Sequence, residues 1–175
     1  MSEKLEIRES RRDDSCAIES LYPEAFPDEN LLPLVQSLLS DTVVAISLVG
    51  TIDTRIIGHV IFTKCGVVGN GVNAALLGPL AVAPEWQRQG IGSAIVRGGL
   101  RWLEDADVSR VYVLGDPAFY GRLGFVPESL VEPPFPLPAK WDGAWQSQDL
   151  GETTTPCAGK LSVPTQWLQP TLWTP

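Results

Sequence analysis

Apolar positions along the chain change their period several times, and each change marks an element. Residues 5–8 alternate as a short strand does. Asp13 or Asp14 is suited to cap a helix in which Ala17, Ile18, Leu21 and Tyr22 fall on one face, and Pro23 is expected to end it. Residues 22–30 hold two prolines and three acids and read as a loop. A second helix is predicted over residues 31–39, with Leu31, Leu34, Val35 and Leu38 at helical spacing. Pro33 is tolerable there because it lies in the first turn. Residues 42–49 are nearly all apolar, as a strand covered on both faces would be. Residues 55–64 and 76–82 supply two more strands. Gly69-Asn70-Gly71 between them is a tight-turn signal, so the pair is expected to form an antiparallel hairpin.

After Pro84 a helix is predicted over residues 90–105, with Ile91, Ala94, Ile95, Trp102 and Leu103 on its apolar face. Gly98 and Gly99 sit inside it at a cost of ~1 kcal/mol each against alanine. A helix that keeps both is expected to press its backbone closely on a sheet. A strand over residues 110–114 and a short helix over 117–123 follow. Pro133, Pro134, Pro136 and Pro138 then mark an irregular stretch, and weaker strands are expected near residues 145–150 and 161–168. The order gives an α/β fold with a mixed, mostly antiparallel sheet and one strand–helix–strand crossover over residues 76–114.

Composition narrows the picture. The chain has 175 residues, 44% hydrophobic and 19% charged, which suits one globular domain over residues 1–175. Its motif-bearing core covers 42–126 and its C-terminal strands lie within about 144–168. No apolar run reaches the ~20 residues of a membrane helix, and residues 1–10 have no signal-peptide stretch. The expected setting is cytoplasmic, with no membrane partner. A formal net charge of −8 speaks against nucleic-acid binding and favours cationic partners such as a protonated amine. Cys16, Cys65 and Cys157 are widely spaced and read as reduced thiols. With His59 as the sole histidine, no metal site is expected.

The stretch from Leu80 to Ser93 carries the chemistry. An apolar strand runs into a short turn, and the turn opens a helix. The first amides of a helix lack partners within it and point outward at the positive end of its dipole. A diphosphate can accept those bonds. Gly90 and Gly92 have no Cβ, so a bulky phosphate can approach the main chain, and Arg88 can add charge at the rim. The stretch lacks the Lys-Ser/Thr of a P-loop, and Ile95 stands where a dinucleotide fingerprint needs Gly or Ala. What fits is Q-x-x-G-x-G, read as Gln87, Gly90 and Gly92.

With the preceding phrase Gly78-Pro79-Leu80-Ala81-Val82-x-Pro84, the sequence resembles the GCN5-related N-acetyltransferase superfamily over roughly residues 5–126. The resemblance implies a sheet that splays into a V-shaped cleft, flanked by helices. It implies acetyl-CoA as co-substrate, held by Leu80, Ala81, Val82, Gln87, Arg88, Gln89, Gly90, Ile91, Gly92 and Ser93. The pantetheine arm would mimic a strand on the main-chain groups of Leu80 and Val82. Gly115 to Phe125 resembles the family's Y-x-x-x-G-F segment in Tyr120, Gly124 and Phe125. The resemblance makes Tyr120 the acid that protonates or hydrogen-bonds the departing thiolate, with a packed aromatic as the alternative. Phe119 is expected in the core or the cofactor wall.

The acceptor implied is a small-molecule or peptide amine, attacking directly as its free base. Candidate bases are Glu24 and Glu29 in the loop between the first helices, and His59 on the second long strand. The alternatives are solvated loop charge for the two glutamates and a satisfied core histidine for His59. Asp116 is a further candidate, though more simply a turn residue or cap before Pro117. Trp141, Trp145, Trp167 and Trp173 are open between edge packing, an acceptor pocket and a dimer face. Dimers are frequent in the family, and the sequence does not choose a homodimer over a monomer. The other function class compatible with the motifs is a CoA-binding sensor or interaction module without turnover.

Overall fold

Apolar periodicity becomes real structure over residues 4–152 and 156–174, which the computed structural model describes. Residues 1–3, part of the N-terminal stretch read above, lie outside the described residues. The elements are β1 (Glu6–Glu9), α1 (Ser15–Ala25), α2 (Leu32–Leu39), β2 (Ala45–Ile52), β3 (Arg55–Val67), β4 (Asn70–Val82), α3 (Ile91–Asp105), β5 (Arg110–Leu114), α4 (Pro117–Gly121), β6 (Val126–Pro127), β7 (Val131–Glu132), β8 (Trp145–Asp149) and β9 (Gly159–Ser162). They fall into two compact units. The first comprises Met1–Phe62 and Gly78–Leu100, and the second Thr63–Leu77 and Arg101–Pro175. β3 and β4 each run through both.

In the first unit the strand order is β1-β2-β3-β4. β1 pairs antiparallel with β2 from Glu6↔Thr51 to Glu9↔Leu48. β2 and β3 are joined by Asp53 and Thr54, whose positive φ values of 48° and 67° suit the twist of a two-residue hairpin. α3 lies on this sheet through an exchange of hollows. A Cβ on Gly50 would meet Ile95 Cδ1 at 2.8 Å, and one on Gly58 would collide with the same side chain. In return, a Cβ on Gly98 would meet Ile7 Cδ1 at 2.9 Å, and one on Gly99 would enter the Phe62 ring. The two helix glycines therefore serve close packing, as their retention in a helix suggested.

In the second unit β4 pairs parallel with β5, from Ala74↔Arg110 to Leu77↔Val113. This is the expected crossover, and the ladder goes no further along β4. β8 pairs antiparallel with β5 and with β6, while β9 pairs with β3 and β7. The core here is aromatic. Trp145 stacks on Tyr112 at 5.6 Å, and Trp173 contacts both Trp145 and Trp167. Each indole N–H is satisfied: Trp145 by Val131 O, Trp167 by Thr63 Oγ1 and Trp173 by Trp167 O. Packing accounts for these three tryptophans; Trp141 is half-buried on a 3-10 turn, Ala139–Trp141.

Several boundaries differ from the periodicity reading. Pro23 does not end α1. Its ring removes only the bond to the Glu19 carbonyl in the last turn, and Phe26 N–H still reaches Tyr22 O at 2.8 Å. Glu24 is thus helical rather than in a loop. β2 starts at Ala45, because the Asp41 carbonyl accepts the N–H groups of Val44 and Ala45 and holds that stretch in a turn. Val43 is accordingly 76% exposed. The β3–β4 turn falls on Val68 and Gly69, with Gly69 at φ 76°, so Asn70 and Gly71 open β4 instead. Trp102 is exposed, not part of the apolar face. The buried stripe runs through Ile95, Val96, Gly99, Leu100 and Leu103, and Trp102 lies roughly a quarter-turn from its centre. β9 stops at Ser162, two residues before Pro164, which has no N–H to continue a ladder.

Gly99→Ala tests the glycine seat. Alanine in a helix interior ordinarily gains ~1 kcal/mol over glycine. Here the new methyl meets a fully buried ring, so Gly99→Ala is expected to destabilise by about 1–3 kcal/mol in urea unfolding. Phe62→Leu in the same chain should recover part of that loss.

Candidate functional site

At the end of β4 the side chains alternate, with Ala81 buried and Leu80 and Val82 half-buried. Residues 78–82 lie past the last β4–β5 pair, which leaves main-chain groups there outside that ladder. A 3-10 turn, Pro84–Trp86, follows. Two glutamine side chains then hold the loop. Gln87 Nε2 donates to Val82 O at 2.9 Å and Gln89 Nε2 to Glu85 O at 3.0 Å. Glu85 also pairs with Arg55 at 2.7 Å on the exposed surface. Arg88 and Gly90 take positive φ values of 61° and 82°.

The first hydrogen bond into α3 is Ala94 N–H to Gly90 O, 3.0 Å. Residues 87–90 form a tight turn, and among the described residues the N–H groups of Arg88, Gln89, Gly90, Ile91, Gly92 and Ser93 make no hydrogen bond of good geometry. Alternating left-handed residues before a helix turn successive amides toward one point, forming an anion-binding concavity. A Cβ at Gly90 would meet no atom within 4 Å, so the space over the turn is open. Six unpaired donors, the positive end of a 15-residue helix and open space fit a diphosphate. The Gln87 side chain is spent on shaping the loop, a role its place in the motif did not disclose.

In the second unit, Asp116 caps α4 by accepting Ala118 N–H at 2.9 Å, as a cap should. Tyr120 packs edge-on against Phe119 at 4.8 Å and Phe125 at 5.6 Å. Its ring fills the space that a side chain on Gly115 would need. The Tyr120 hydroxyl has no hydrogen-bond partner among the described residues. Burial raises its pKa, so the phenol keeps its proton throughout the neutral range.

The three candidate bases are not brought together. His59 has no solvent exposure. Its Nδ1 lies 2.6 Å from the Tyr22 hydroxyl and its Nε2 2.8 Å from the Ser47 hydroxyl. Ser10 donates on to Ser47 at 2.7 Å. Desolvation pushes the imidazole pKa down to about 3. With both nitrogens engaged and the ring out of water, His59 is the satisfied core histidine. Glu24 and Glu29 line different cavities of the first unit. Glu29 shares one of about 270 Å³ with Tyr22, Phe26, Asp28 and Leu31. Glu24 borders one of about 430 Å³ with Asp13, Asp14 and Arg55. Cys16 is exposed, Cys65 half-buried and Cys157 buried, and none is in a disulfide.

An acyltransferase fold is what these features define, and the comparisons with known proteins agree on it. Residues 12–125 match the model of the Acetyltransferase (GNAT) family, and the chain belongs to that family. It is 32% identical to the uncharacterized N-acetyltransferase YjhQ of Escherichia coli K12 over 79% of this chain and 81% of that protein. It is 34% identical to the uncharacterized N-acetyltransferase YhbS of the same strain over 64% of this chain and 68% of that protein. The crystal structure of Escherichia coli YhbS in complex with CoA superposes with a TM-score of 0.84 at 26% identity, covering 97% of this chain and 94% of that one. A Brucella melitensis GNAT acetyltransferase in complex with acetyl-CoA shares the fold, with a TM-score of 0.76 at 24% identity over 95% and 99% of the two chains.

The buried histidine sets an acid limb of stability. Its pKa is lowered from 6.5 unfolded to about 3 folded, so its contribution is full above 6.5 and is lost as pH falls toward 3. Each unit in that window removes about 1.4 kcal/mol. Urea unfolding at pH 7 and pH 5 should therefore differ by about 2 kcal/mol. A folded His59→Gln variant should be less stable at pH 7 but lose little more at pH 5.

Proposed function

We propose that the chain transfers an acetyl group from acetyl-CoA to a primary amine by direct attack, with no covalent enzyme intermediate. The run of six unpaired amides at residues 88–93 carries this reading. Its shape and polarity suit the pyrophosphate of CoA, with Arg88 at the rim and the chain of Leu80, Ala81 and Val82 beside the pantetheine. Val82 O already accepts Gln87, and its second lone pair is available to an amide. Phe119 belongs to the wall beside Tyr120, and Tyr120 supplies the proton or hydrogen bond that the departing thiolate needs.

The acceptor in this reading is a cation before it reacts. The cavity shared by Tyr22, Phe26, Asp28 and Glu29 offers aromatic faces and carboxylates to an ammonium group. Glu29 is the carboxylate we assign to the amine's proton, directly or through water. Glu24, in the other cavity, is a surface charge. Three unpaired thiols agree with a cytoplasmic setting.

Thiol release from acetyl-CoA, followed with spermidine, lysine, kanamycin and a tripeptide as acceptors, tests the reaction. Turnover with at least one amine is expected; CoA binding with no release on any of them would leave a binding module instead. Gly92→Trp should weaken CoA binding more than tenfold, by calorimetry, while circular dichroism stays unchanged. Undiminished affinity would put the phosphates elsewhere. Tyr120→Phe should lower kcat by about 10–100-fold with CoA affinity within about twofold. Equal loss of both would make Tyr120 a packing residue.

A further inference from the structure

His59 lies in the middle of β3, and its ring ties that strand to α1 and β2. The Tyr22 hydroxyl of α1 is at Nδ1 and the Ser47 hydroxyl of β2 is at Nε2. A neutral imidazole carries one donor and one acceptor on opposite edges of a rigid plate. It therefore spans helix and strand with both ends satisfied, and Ser10 extends the chain beyond β1. The Tyr22 and His59 rings also meet edge-on at 5.7 Å. On its other side, Tyr22 stacks with Phe26 at 6.3 Å, interplanar angle 20°. Tyr22 and Phe26 both wall the cavity of about 270 Å³ that holds Glu29 and Leu31. The strut ends where the cavity begins.

We infer that His59 is a positioning residue for the amine acceptor, fixing through Tyr22 the aromatic wall of the cavity between α1 and α2. The inference rests on the reading of that cavity as the amine site. Tyr22 makes its side-chain hydrogen bond only to His59 among the described residues. Without it the ring has no polar anchor, and the Tyr22–Phe26 stack is free to shift. A wall that shifts changes amine binding while leaving the cradle at residues 88–93 as it is.

The test uses the full chain and whichever of the four probe amines is turned over. Tyr22→Phe is expected to raise KM for that amine about tenfold, with kcat and CoA affinity within about twofold. Ser47→Ala, a milder change at the far end of the strut, should raise it about threefold. In the Tyr22→Phe background, Ser47→Ala should add nothing, since both act through one ring. The inference is overturned if amine KM stays level in the folded variants. It is equally overturned if amine KM, CoA affinity and melting temperature all worsen together. Leu31→Trp, which fills the cavity directly, separates the two levels. A raised KM in Leu31→Trp with none in Tyr22→Phe sinks only the positioning role. An unchanged KM in Leu31→Trp removes the cavity as the amine site, and no turnover with any amine removes both.

Discussion

The seat of α3 on its sheet is the constraint on which the rest of the first unit depends. Gly50 and Gly58 open hollows that Ile95 occupies, and Gly98 and Gly99 open hollows for Ile7 and Phe62. Interlock in both directions fixes the helix along its axis as well as across it. A shift of one residue, ~1.5 Å, would drive backbone into the Ile7 side chain and the fully buried Phe62 ring. Ile91, the first residue of α3, stands one turn before Ile95, so the seat also fixes where the unpaired amides lie. Gln87 and Gln89 hold the loop from its other side through Val82 O and Glu85 O. Donors held this way need no reorganisation when an anion arrives.

The chain carries a formal net charge of −8, yet its cradle fits an anion. The two are compatible because they act over different ranges. Amide dipoles and a helix terminus act at contact. The summed charge acts farther out and is screened over ~8 Å at physiological salt. An acidic surface also draws in an ammonium group. In the proposed reaction the cavity with Asp28 and Glu29 would offer that cation its local partners. In the proposed reaction, main-chain donors for one substrate and side-chain acceptors for the other would let a single acidic chain serve two ligands of opposite charge.

The turn that opens α3 was legible in the sequence because it is a main-chain feature. Glycine spacing, the Pro84 turn and the onset of helical periodicity specify it locally, and the helix began within one residue of the reading. Gly98 and Gly99 announced close packing for the same reason. The His59 environment was not legible, because its partners are separated from it by 37 and 12 positions. A lone histidine in an apolar strand says that a partner exists but not which one. The start of β2 turned on one carbonyl, that of Asp41, which outweighed a run of apolar residues. Glu24 and Glu29 looked alike in the sequence. Two further helical residues past Pro23 put Glu24 on α1, and the two glutamates line different cavities. The tryptophans were undecided because an indole suits an edge, a pocket or a core equally. Their fate came from ring contacts and from carbonyl and hydroxyl partners distant in the chain.

The surroundings of Tyr120 bear on what it does for a thiolate in the proposed reaction. Phe119, Phe125 and the hollow at Gly115 hold the ring from three sides, and burial raises the phenol pKa above its ordinary value. An alkyl thiol has a pKa of ~8.5, below that of the phenol. Complete proton transfer from Tyr120 to the thiolate would therefore run uphill. A charge-assisted hydrogen bond from an intact phenol has no such cost and is strongest where water is excluded. The ring is thus suited to stabilise the leaving group by donation, with the thiolate taking its final proton later, from the amine's side or from solvent. Burial that would disqualify a base is what makes this residue a dependable donor.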